Sequence, residues 1–300
     1  MTDLISLPTV QPDEAPLGDV APTPARGATW RRFARNRLAV VGLVIIAILV
    51  LAAIFAPLIT SYSYSATGPD RRFGPSRDHW FGTDRLGRDM FTRVVYGARV
   101  SLKIGFLATL MSMVIGVLLG STAGYFGGVI DNLLMRLTDV FLAIPYIVLA
   151  ISVAVVFGRS ENSLILVIGL TGWLAVARVV RSSYISLKNQ EFVEAARALG
   201  LGRTRIMYRH ILPNAIQPII VYGTLAIGGA ILTEAALSFL GAGVQSPTPA
   251  WGLMVAEGKG NLANEPHLLF FPGGAIALTV LAFLFVGDGL RDALDPRLKQ

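Results

Sequence analysis

The chain has 300 residues, of which 53% are hydrophobic and only 15% charged, and its mean hydropathy is +0.61. That balance excludes an ordinary soluble domain and points to a core built in lipid. A net charge of +7 without cysteine leaves no thiolate metal site, and the arginines gather at the ends of apolar runs rather than among stacking aromatics, so nucleic acid is not the partner.

Residues 1–30 carry five prolines among Ala, Thr, Asp and Glu, which predicts a disordered tail. Residues 31–300 form the membrane domain. Its first apolar run, 38–59, follows Arg31, Arg32, Arg35 and Arg37 and has no charge. It is too long and too far from the N-terminus for a cleaved signal peptide, and at ~1.5 Å per residue it covers the ~30 Å of hydrocarbon. Further spans are predicted at about 101–124, 134–157, 163–180, 213–236 and 271–289. The fold class is therefore all-α, a polytopic membrane protein with six crossings and both termini on one side. Long links at 60–100 and 237–270 lie on the opposite side.

Of the Lys and Arg residues, 16 fall on the side of the termini and 10 on the other, eight of them between Arg71 and Lys103. The positive-inside rule places the termini in the cytoplasm, and the basic segment before the second span violates it. Within that second span, Ser112, Gly116, Gly120 and Gly124 recur every fourth residue. One ridge of small residues predicts a face on which another helix packs closely.

Intramembrane charge is expensive, so each instance needs a role. Asp131, Arg136, Arg178 and Arg181 read as solvated helix ends, as does Asp139. Glu234 has two readings, an outer helix end or a face of the pathway. His79, His210 and His267 are too dispersed for a metal site. The sequence has no H-E-x-x-H, G-x-S-x-G or G-x-x-x-x-G-K-[ST] motif, so neither a membrane protease nor an ATP-binding loop is expected in this chain. The middles of the spans lack the Asp, Glu or His relay of a proton-driven carrier.

The segment 189–212 is different. With the following Pro213 it includes EAARALGLGRTRIMYRHILP, which starts at Glu194. Asn189 can cap a short helix that begins with Glu191. Phe192, Ala195, Ala196 and Leu199 make one apolar stripe, Gly200 supplies a left-handed stop and Gly202 a second bend. Pro213 suits the first turn of the next span. A short amphipathic helix on the membrane surface follows, which by itself could simply rest on lipid.

Glu194, Ala195, Ala196, Gly200, Leu212 and Pro213 resemble the EAA loop of ABC importer permeases, in which such a helix couples to an ATP-binding subunit. That family usually has isoleucine at the position of His210. Three more blocks, HWFGTDRLGRDMFTRVVYGARVSL from His79, EAALSFLGAGVQSPTPAWG from Glu234 and GDGLRDALDPRLK from Gly287, are similar to the dipeptide/oligopeptide/nickel branch and its C-type permease. The resemblance implies a type I importer transmembrane domain in the bacterial inner membrane, with cytoplasmic termini. It also implies a homologous B-type permease, ATP-binding subunits that hold ATP and Mg, and an extracytoplasmic binding protein delivering di- or oligopeptides. No cofactor is expected in this chain. The loop from Ser238 to Phe270 would contact that binding protein or form a re-entrant cover. A nickel or other small-solute importer is the alternative within the family, and an ATP-independent carrier or channel the alternative outside it.

Overall fold

The computed structural model describes residues 26–294; most of the predicted disordered tail, and the last six residues, lie outside them. Residues 26–30 are not part of a disordered tail, since α1 spans Arg26–Arg35. The helices that follow are α2 (Arg37–Ile54), α3 (Ala56–Ile59), α4 (Met90–Phe126), α5 (Gly128–Ala143), α6 (Tyr146–Phe157) and α7 (Glu161–Leu187). The chain then forms α8 (Glu191–Ala198), α9 (Arg203–Arg205), a π-helical turn (Ile206–Ile211), α10 (Leu212–Phe239), α11 (Trp251–Gly258) and α12 (His267–Leu294). Among the described residues, five helices are long and apolar enough to cross a membrane, six if the bent pair α5–α6 counts as one span. Among the described residues the only β pairing is the isolated bridge between Thr83 and Asp89.

Local chemistry sets the helix starts. Asn36 stands in extended backbone before α2 and its Oδ1 accepts from the Ala39 amide at 3.2 Å. Asp89 does the same for α4, accepting from Thr92 at 2.7 Å, and Ser160 caps α7 through the Ser163 amide. Each satisfies a donor that the first turn leaves without a partner. Asn36→Ala is expected to cost about 1 kcal/mol, seen as a lower thermal unfolding midpoint of the purified protein.

The third apolar run is not one straight crossing. It breaks between α5 and α6 with a bend of 87°. Pro145 causes this: it has no amide hydrogen, and it drives Ile144 to extended backbone at φ −85°, ψ 127°. The second span is also longer than its uncharged stretch, because α4 starts at Met90 rather than near residue 101.

The centre of the domain is α4 against α7. Gly116, Gly120 and Gly124 are buried there. A Cβ on Gly116 would stand 2.5 Å from Val176 Cβ, and one on Gly124 would stand 2.6 Å from Tyr184 Cβ. Ser112, on the same ridge, donates to the Gly169 carbonyl at 3.0 Å. The opposite ridge of α4 turns Leu110, Val114 and Leu118 outward, as a lipid-facing surface requires.

At the end of the domain where α4 begins, the two long links fold against each other. Trp251 is fully buried and donates from Nε1 to the Val94 carbonyl at 2.9 Å. Arg88 bonds Asp84 at 2.5 Å, Ser246 at 2.9 Å and Glu257 at 3.2 Å. Arg93, completely buried, reaches the same Glu257 at 3.1 Å. Glu234 is neither a solvated end nor a pathway face. It has no exposed surface, and its carboxylate accepts from Ser101 at 3.1 Å and Ser238 at 2.8 Å. Ser101 in turn accepts from the Trp251 amide, so one carboxylate ties α4, α10 and α11 together.

Candidate functional site

The surface helix α8 hangs between the ends of α7 and α10. Its N-cap is Gln190, in extended backbone at φ −81°, ψ 151°, without a side-chain cap bond; the predicted cap, Asn189, lies one residue too early. Glu191 and Glu194 in the first turn and Arg197 in the last compensate through the helix dipole.

The predicted apolar stripe divides between two faces. Ala196 points inward with Val193, and both pack among Val176, Val180, Tyr184, Ile206, Met207 and Ile211. Phe192, Ala195 and Leu199 point outward, with Leu199 80% exposed. Glu194 and Arg197 are exposed as well. Burial of Val193 and Ala196 anchors the helix, while Leu199 stands almost free of the described residues and Phe192 is partly covered, at 38% exposed.

Gly200 ends the helix at φ +74°. Its amide donates to the Arg197 carbonyl at 2.9 Å and the Leu201 amide to the Ala196 carbonyl at 3.2 Å, the paired bonds of a Schellman motif. Helix resumes at Arg203 after Gly202 and widens into the π turn just before Leu212 and Pro213. Pro213 cannot donate to the carbonyl four residues back and crowds it, which accounts for the widening. The π turn puts Ile211 in the buried position and leaves His210 half-buried beside it. Tyr184 donates to the Met207 carbonyl at 3.0 Å, locking this turn to α7. Leu212 joins the cluster that holds Ala196, while Glu194, Ala195, Gly200 and Pro213 remain at the surface.

Asp131, Asp139, Arg178 and Arg181 are not simply solvated ends: they form two ion pairs that brace the same side of the domain. Arg181 grips Asp131 with two bonds, at 2.5 and 2.6 Å. Arg178 meets Asp139 at 2.6 Å with both side chains more than half exposed. Pairing across α5 and α7 is a tertiary fact that spacing along the sequence does not encode. In double-mutant cycles the bidentate Asp131–Arg181 pair is expected to couple by about 1 kcal/mol and the exposed Asp139–Arg178 pair by roughly nothing. Among the described residues, no three His, Cys, Asp or Glu side chains are grouped so as to hold a metal ion.

Comparison with known proteins agrees with this architecture. Residues 116–300 match the family described as binding-protein-dependent transport system inner membrane component, and residues 23–75 match the N-terminal TM domain of oligopeptide transport permease C. The chain is 48% identical to the dipeptide transport system permease protein DppC of Alkalihalophilus pseudofirmus, over 98% of this chain and 97% of that one. It is 46% identical to the oligopeptide transport system permease protein OppC of Bacillus subtilis, over 90% and 88%. It is 43% identical to the glutathione transport system permease protein GsiD of Escherichia coli, over 99% and 96%. Among solved structures, a chain of the MetNI methionine ABC transporter superposes with a TM-score of 0.58 at 20% identity, covering 69% of this chain and 98% of that one, a likeness of fold. Matched over most of its length by that family and along nearly all of it by these relatives, the chain belongs to the binding-protein-dependent transport system inner membrane components, the multi-pass permease subunits of ABC importers.

Proposed function

We propose that this chain forms half of the translocation pathway of an importer for di- or oligopeptides, and that α8 with Gly200 is the element through which a cytoplasmic ATP-binding subunit drives it. The observation that carries the coupling role is the division of α8 into two apolar faces. Val193 and Ala196 fasten it to two spanning helices, while Phe192, Ala195 and Leu199 are left exposed. A helix anchored on one side and apolar on the other can transmit a push from a docked partner to the spans it joins, and small Ala195 admits close approach. Pro213 and the π turn place a softened helical segment directly behind it.

Peptide as substrate rests on the relatives, whose names specify dipeptide, oligopeptide and glutathione transport. ATP and Mg belong to the partner subunits, a B-type permease supplies the other half of the pathway, and a binding protein delivers substrate from outside. Cytoplasmic termini follow from the basic residues before α2 and in 189–212. The folded pair of external links, held by Arg88, Arg93 and Glu257, offers a preformed surface for that binding protein.

The chain has no cysteine of its own, which makes the docking test direct. In membranes containing the ATP-binding partners, Leu199→Cys is expected to cross-link to one of them, and Leu262→Cys, exposed in the link on the opposite side of the domain, is not. Failure of every outward position of α8 to cross-link would remove the coupling role.

A further inference from the structure

Helix α1 is a short surface helix with a charge pattern that the neighbouring sequence does not answer. No acidic residue occurs between Asp19 and Asp70, so Arg26, Arg31, Arg32, Arg35 and Arg37 stand together without a local counter-charge. Arg31 and Arg35 are one turn apart and both exposed. Like charges at that spacing destabilise a helix, and a helix of only 10 residues is marginal by itself in water. An anion shared between the two guanidinium groups would remove the conflict.

Packing fixes where α1 lies. Phe33 is 4% exposed and sits among Ala39, Val286 and Ala293, with Leu290 and Ile46 beside them. Gly289 makes room for it, since a Cβ there would stand 3.3 Å from the Phe33 ring. A single extended residue, Asn36, separates α1 from the first span; its amide donates to the Phe33 carbonyl at 3.1 Å and its Nδ2 to Asp292 at 3.4 Å. The helix is thereby held where the first span begins and the last one ends, at the edge of the hydrocarbon.

At about 3.6 residues per turn, Trp30 and Ala34 fall between the docked Phe33 and the pair Arg31 and Arg35. Trp30 stacks on Phe33 with ring centroids 5.6 Å apart, yet it remains 62% exposed. Around the helix the order is therefore protein, exposed aromatic, exposed arginines. A ring packed on one side and free on the other, next to basic residues, suits the boundary between acyl chains and headgroups.

We propose that α1 binds anionic phospholipid headgroups of the leaflet on its own side, with Arg31 and Arg35 on the phosphates and Trp30 at the top of the acyl chains. Basic side chains beside a span draw anionic lipid from the surrounding bilayer. Because Asn36 joins α1, α2 and α12, lipid held here steadies the corner where the first and last spans meet. That this leaflet is the cytoplasmic one rests on the placement of the termini proposed above.

The complete importer in vesicles is the system for the test. Ala34→Cys, exposed on α1 and then the sole thiol of this chain, carries a bimane fluorophore, with cysteine-free partners. Phosphatidylglycerol spin-labelled on its upper acyl chain is expected to quench the fluorophore about threefold more than phosphatidylcholine labelled in the same way at equal mole fraction, the scale of one or two basic contacts. Arg31→Gln with Arg35→Gln should abolish that preference, and Arg31→Lys with Arg35→Lys should keep most of it. Equal quenching by the two lipids overturns the proposal, as does an unchanged preference in the glutamine variant or its complete loss in the lysine variant. Absence of quenching by either lipid overturns it too, since protein rather than lipid would then cover α1. The comparison of the two lipids on the native arginines decides the matter if the variants do not insert. Leu262→Cys, exposed in the link on the opposite side of the domain, separates the two levels. A membrane-impermeant maleimide should reach it only from outside; labelling from inside would overturn the placement of the termini and leave the lipid preference standing.

Discussion

Gly200→Val is expected to leave the importer assembled and hydrolysing ATP while peptide uptake falls by at least tenfold. The strain is conformational, not steric. Gly200 sits at φ +74°, yet a Cβ there would meet nothing within 4 Å. A left-handed backbone costs an L-residue about 1–2 kcal/mol, and a β-branched side chain is the worst placed to adopt it. Relief requires the Schellman bonds from Gly200 and Leu201 to open, which frees the end of α8 and changes the angle at which Arg203 resumes the helix. Val193 and Ala196 still hold the start of α8, so insertion is retained. Gly200→Asn is the control, because asparagine tolerates the left-handed region. ATPase and uptake assays on the same membranes should show both activities for asparagine and hydrolysis alone for valine. Equal uptake by the two variants would mean that the cap geometry does not matter to coupling.

Gly120→Val is expected to fail earlier, at folding. A Cβ at this position would stand against the Ala177 carbonyl and 2.9 Å from Val180 Cβ, where backbone cannot yield. Overpacking typically costs 1–3 kcal/mol, and the contact with backbone places this case at about 3 kcal/mol or more. In a membrane the two helices gain nothing from hydrophobic exclusion between them, so close packing is most of what holds α4 to α7. Reduced levels of membrane-inserted protein and loss of a cooperative melting transition are the expected readouts. Gly274→Val, where a Cβ meets nothing within 4 Å, should be tolerated.

These two glycines mark what sequence reading could reach. A fourfold spacing of small residues identified the close face of α4, and a Gly after an Ala-rich amphipathic turn identified the stop of α8, because both signals are local. The division of the α8 stripe was not legible in the same way. Helical spacing groups Ala195 with Ala196, and Ala196 turns inward because it meets side chains of α7 and of the π turn together. Pro145 was a visible breaker inside an apolar run, and reading that run by hydropathy alone passed over it. The start of α4 was hidden for the opposite reason. Arg93 looks like a boundary, but it is buried because Glu257, 164 residues away, meets it. Glu234 depended likewise on Ser101, 133 residues distant. Charges whose partners lie on another helix carry no sign of that pairing in one sequence.

Transport by purified components in liposomes tests the central claim most directly. This chain alone should give no peptide uptake, and uptake should appear only with its permease and ATP-binding partners, peptide-loaded binding protein and hydrolysable ATP. Uptake by this chain alone, or by the complete assembly without ATP, would contradict the account.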